Sequence, residues 1–137
     1  MRYSHAKTSA LGALLLSCLL AVGCFSDPSG LRTYQCSGIV TFNGEPVELG
    51  YINFEPNTTA GNSGPGASAR ITQGRYKTEE GKGVVGGPYR VVIVGYDGKS
   101  PDGLGDGSPL FPEFVIERDL PRDDSDQDFE IPRGDRK

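Results

Sequence analysis

From residue 34 onward, apolar and polar residues alternate in short runs broken by Gly, Pro and Asn, the period-two pattern of half-buried strands. Over 34–42, Tyr34, Cys36, Gly38, Val40 and Phe42 share one face, and Asn43-Gly44 then signals a tight hairpin turn. Pro46 and Val47 lead into a second strand over 49–55, where Ile52 and Phe54 alternate with Tyr51 and Asn53. Residues 57–66 are polar and glycine-rich and read as a surface loop. A third strand is predicted over 67–72, a turn at Gln73-Gly74, and a short fourth strand over 75–78 that includes Tyr76. The glycine-rich stretch 79–87 reads as a connector into the best strand of the chain, 88–96. There Tyr89, Val91 and Ile93 face one way and Arg90, Val92 and Val94 the other, which predicts a central position.

Asp, Gly, Ser and Pro dominate 97–109, a long loop, and apolar character returns over 110–116 as an irregular segment covering a sheet edge plus a short strand. A closing strand over 127–131 turns Phe129 and Ile131 inward, and 132–137 is tail. No segment carries a 3.6-residue apolar period, so helix should be scarce. About seven short strands cannot bury their apolar faces in one flat sheet, and two packed sheets solve the problem. The fold expected is all-β, a Greek-key-type β-sandwich spanning 34–131. Its core is Cys36, Val40, Phe42, Ile52, Phe54, Tyr76, Tyr89, Val91, Ile93, Phe129 and Ile131.

Ahead of these strands the pattern changes. Residues 1–9 carry Arg2, His5 and Lys7 with no acid, 10–22 are largely apolar, and the run closes on Ala21-Val22-Gly23-Cys24. A basic region, an apolar core and small residues at a cut read as a secretory signal, and the run is too short for a permanent membrane span. The cysteine at the cut resembles the lipobox of bacterial lipoproteins, with Ala21 where that pattern prefers Leu. Leu15-Leu16-Ser17-Cys18 also matches the short pattern, but it leaves a shorter apolar core and exports Leu19-Leu20, so Cys24 is favoured. The resemblance implies cleavage after Gly23 (1–23 removed), acylation of Cys24, and a tether over 24–33. More than one acyl chain is what stable anchoring needs.

Composition narrows the chemistry. Removing residues 1–23 from 137 leaves 114, enough for one domain. The 14 Lys and Arg less Arg2 and Lys7 then face 18 acids, a net charge of −6 with no basic stripe, which argues against nucleic acid as a partner. With residue 18 cleaved off and Cys24 acylated, Cys36 is left with no disulfide partner and reads as a buried structural thiol. The one histidine is His5, in the leader, so Ser37, Ser63, Ser68, Ser100, Ser108 and Ser125 have no imidazole base, and zinc has too few ligands.

Paired carboxylates for glycoside chemistry would have to come from Glu48, Glu55 or Glu113, without a deep cleft to hold a sugar. Residues 81–87 have the composition of a phosphate loop without its spacing. The competing function is binding of calcium or a small ligand by the acidic loops 97–109 and 119–128. Asp97, Asp102 and Asp106 punctuate one loop and Asp123, Asp124, Asp126 and Asp128 cluster near the C-terminus, oxygen donors of the kind calcium takes, though out of register with an EF-hand. Tyr51, Tyr96 and Phe114 are expected to be exposed.

Gly38-x-Val40-x-Phe42-Asn43-Gly44-x-Pro46-Val47, Ile52-x-Phe54, Gly74-x-Tyr76 and Gly87-Pro88-Tyr89-x-Val91-x-Ile93 resemble, in order and spacing, the carboxypeptidase regulatory-like domain. Here Gln73-Gly74 stands where that family carries Asp-Gly. With the lipobox and the segments 111–114 and 128–131, the whole chain is similar to small lipoproteins abundant in planctomycete bacteria. The resemblance implies a transthyretin-like (prealbumin-like) sandwich and an accessory role with no catalytic residue. Its expected partners are a membrane, through the N-terminal lipid, and an envelope protein or cell-surface polymer. The localisation implied is the cell envelope, facing the periplasm or the exterior.

Overall fold

The structure is a computed structural model and describes residues 30–101 and 103–134. Gly23, Cys24, Asp102 and the last three residues lie outside the described part. The described body holds nine strands and one 3-10 turn: β1 Cys36–Phe42, β2 Glu45–Pro46, β3 Leu49–Pro56, β4 Ala67–Thr72, β5 Arg75–Lys77, β6 Gly87–Tyr96, β7 Phe114–Leu120, β8 Ser125–Asp126 and β9 Phe129–Ile131. They join in the order β2-β1-β5-β4-β3-β6-β7, with β8 and β9 both paired to β1. The domain is an all-β body in which a largely antiparallel sheet curls around its core.

Local chemistry sets the turns. Asn43 and Gly44 both have positive φ (54° and 83°), the left-handed pair that lets a two-residue hairpin follow the twist of its strands. Gln73 and Gly74 repeat the device at 50° and 74°, although glutamine has no liking for that region. The long ladder between β3 and β6 runs from Leu49↔Tyr96 to Pro56↔Tyr89, so Ile52 meets Ile93 and Phe54 meets Val91 on the inner face. Those four side chains are at most 1% exposed, and each contributes about 1.5–3 kcal/mol through burial.

Cys36, Val40, Tyr76, Tyr89, Phe129 and Ile131 complete the expected core, joined by Val47, Ile71, Val84, Phe111 and Leu120, which alternation did not single out. Phe42 is only partly buried, at the rim, where its ring sits 5.1 Å from that of Phe111. Phe111 reaches the core because β6 carries Gly95 beneath it. A Cβ there would stand 2.7 Å from the ring.

Several expected boundaries move. Tyr34 is not in β1 and makes only an isolated bridge to Val84. The late strand continues past 116 to Leu120, because β6 offers partners as far as Gly87 while the added Glu117, Arg118 and Asp119 project to solvent. β6 is flanked on both sides, yet it lies one strand from an edge and not at the centre. The closing strand is two pieces, both parallel to β1. Tyr51, Tyr96 and Phe114 are half-buried and not exposed.

Candidate functional site

The C-terminal acids are structural fasteners. β8 and β9 keep one register against β1, with Ser37↔Asp126 and Val40↔Phe129 as partners. Along it, the Asp124 carboxylate accepts the Gln35 N–H (2.7 Å), Asp126 the Ser37 hydroxyl (2.5 Å) and Asp128 the Ile39 N–H (2.8 Å). Asp123 accepts the N–H of Asp124 (2.9 Å). Between β8 and β9 the backbone ladder lapses, and the Asp128 side chain fills the gap. Gly38 is needed opposite, because any Cβ there would run into the carbonyl of Gln127.

The other acidic loop is closed on itself. Asp97 Oδ1 accepts the N–H groups of Lys99 and Ser108, both at 2.9 Å, and these bonds hold its carboxyl below the usual aspartate range. The Tyr51 hydroxyl donates to Asp106 at 3.2 Å. Among the described residues, no three His, Cys, Asp or Glu side chains are gathered in a metal-binding group. Calcium takes six to eight oxygens, whereas these carboxylates are engaged by protein donors.

Cys36 is fully buried, and burial is the first of the causes that push its thiol pKa up, away from the reactive thiolate. Tyr76 is likewise pushed up by burial, and its hydroxyl donates to the Gln127 carbonyl at 2.7 Å. The Ser37 hydroxyl donates to Asp126, with no imidazole beside it. No buried side-chain nitrogen or oxygen among the described residues lacks a hydrogen-bond partner.

Two clefts lie at opposite ends of β1. Beyond Phe42, a recess of about 670 Å³ is lined by Leu110, Phe111, Phe114 and Ile131, with Glu113 and Arg133 at its margin. At the other end, where Tyr34 pairs with Val84 through two backbone bonds, lies a cleft of about 460 Å³. Leu31, Arg32 and Arg122 line it, together with glycine-rich backbone from 61–64 and 85–88.

This second cleft is rigid. Asn62, only 7% exposed, donates to the carbonyls of Gly86 and Pro88 and accepts from the Gly64 N–H. The Tyr89 hydroxyl donates to the Pro65 carbonyl and accepts the Val85 N–H, pinning the same loops to β6. Sequence reasoning placed Asn62 in an unpacked loop and missed it, since a polar loop residue gives no burial signal. Tyr89 was visible as core by alternation, but its hydroxyl's role was not. Neither Arg32 nor Arg122 was singled out.

Comparison of the chain with protein-family models, with curated proteins and with solved structures gives no match. Among the described residues, no helix is long and apolar enough to cross a membrane.

Proposed function

We propose that this chain is a lipid-anchored, non-enzymatic binding or structural module of the cell envelope. In this reading Cys24 carries the lipid and the body is a transthyretin-like sandwich of the carboxypeptidase regulatory-like type. The observation that carries it is positional. Cys24 closes an apolar run headed by Arg2 and Lys7, and only seven positions separate it from Leu31, where the compact unit starts. A thiol so placed is suited to hold a folded body close to a bilayer. The curled antiparallel sheet, with its first and last strands side by side, agrees with a sandwich of that kind.

The mature chain has no histidine, its one internal thiol is buried, and the carboxylates of Asp97, Asp106, Asp123, Asp124, Asp126 and Asp128 accept from backbone or hydroxyl donors. These features favour work by surface contact, through an envelope protein or polymer. The test is Cys24→Ser in the native host. Loss of the acyl mass and release of the chain from the membrane fraction are expected, and unchanged membrane retention would overturn the anchor.

A further inference from the structure

The end of the domain that bears Leu31, Arg32 and Arg122 differs from the rest of the surface in charge. Among the described residues, no Asp or Glu lines its cleft, although the full chain carries 18 acids against 14 basic residues. Among the described residues, neither guanidinium has an ion-pair partner. Arg32 lies 5.6 Å from the centre of the Tyr34 ring, which leaves its charge available on one side. The two acids that directly follow Arg122 are engaged elsewhere, Asp123 by the Asp124 N–H and Asp124 by the Gln35 N–H. Leu31 is 52% exposed beside them. The surrounding backbone is held by Asn62 and Tyr89, so the two arginines sit on a fixed platform.

We propose that this end is the membrane-facing surface of the domain, with Arg32 and Arg122 contacting anionic phospholipid headgroups and Leu31 meeting the interface. This rests on the anchoring reading above. The length of the tether supplies the argument for the occupant. The seven residue steps from Cys24 to Leu31 span at most about 25 Å when fully extended, so the end bearing residue 31 cannot leave the neighbourhood of the bilayer.

Two arginines bind a lipid surface weakly by themselves, but an anchor makes the contact intramolecular and raises its effective concentration. The net negative charge of the body adds direction. An anionic surface repels the acid-bearing faces and attracts the arginine-lined cleft, over a distance of about one Debye length, ~10 Å.

The test uses the acylated mature protein reconstituted in vesicles. With Cys24 blocked by lipid and Cys36 buried, a single fluorophore can be placed at Ser63→Cys beside the cleft or at Glu45→Cys at the far end of β1. A quencher carried on lipid headgroups then reports proximity. In vesicles containing phosphatidylglycerol, the Ser63 position should be quenched several-fold more strongly than the Glu45 position. That difference should shrink several-fold in pure phosphatidylcholine and in the Arg32→Gln/Arg122→Gln variant.

Equal quenching at the two positions, or a difference indifferent to lipid charge and to both arginines, would overturn the surface while leaving the anchor standing. A chain shown by mass to carry no acyl group would overturn the anchor and this surface together. The comparison of positions and lipids needs no arginine variant, so a folding defect in that variant does not disable it.

Discussion

The carboxylate of Asp128 accepts the amide N–H of Ile39 at 2.8 Å, filling the place where the backbone ladder between β1 and the last strands lapses. The two residues are 89 positions apart, and the bond closes the first strand of the domain onto its last.

Asp128→Ala should therefore lower stability by about 1 kcal/mol, and Asp128→Asn, which keeps an acceptor oxygen, by less. Gly38→Ala should cost more than either, because its new Cβ meets the Gln127 carbonyl. Denaturant midpoints at constant slope would show this order, and an Asp128→Ala protein as stable as the parent would refute the fastening role.

Phe111 and Gly95 form a second coupled pair. Phe111→Ala should cost about 3 kcal/mol through cavity formation. Gly95→Ala should cost about 1–3 kcal/mol by overpacking against the same ring. Since both act on one contact, the double variant should fall well short of the sum, which a double-mutant cycle would measure. Simple additivity would mean that the ring does not rest on Gly95.

Gln73 sits at φ 50° ahead of Gly74. Asparagine adopts that left-handed conformation more readily, so Gln73→Asn should raise stability by up to about 1 kcal/mol. Thermal melting would detect the rise, and an unchanged or lower midpoint would show that glutamine is unstrained there.

The loop over 97–109 should respond to acid. The pKa of Asp97 is lowered by N–H donors from Lys99 and Ser108, so the folded form favours the charged carboxylate. That contribution is present above the ordinary aspartate value of about 3.9 and is lost as pH falls through the lower folded value. The amide resonances of Lys99 and Ser108 should titrate together with a midpoint below the ordinary range. Asp97→Asn should abolish the titration. A midpoint at or above the ordinary value would contradict the assigned bonds.

Alternation was enough to find β3, β4 and β6 to within a residue or so at each end, because their inner residues face a core and their outer ones face water. It failed for the second half of β7, where Glu117, Arg118 and Asp119 are all exposed and only pairing with β6 defines the strand. It also failed at 127–128, where the strand breaks because a side chain from one end of the chain meets backbone from the other. The acids from 123 to 128 looked like ligands for the same reason, since sequence shows the carboxylates and hides their donors. Cleft residues such as Asn62 and Arg122 converge only through tertiary folding, which no local pattern records.

β1 and β9 run in the same direction, tied at Val40↔Phe129, Thr41↔Glu130 and Phe42↔Ile131. The chain therefore enters the domain at one end of this pair and leaves at the other. Tension applied between its two ends acts along the strands, and loads all of their cross-bonds at once in shear, with no way to peel them open one by one. The clasp is thus built to resist pulling, and stretching of single molecules should find its rupture force well above that of a hairpin unzipped from one end.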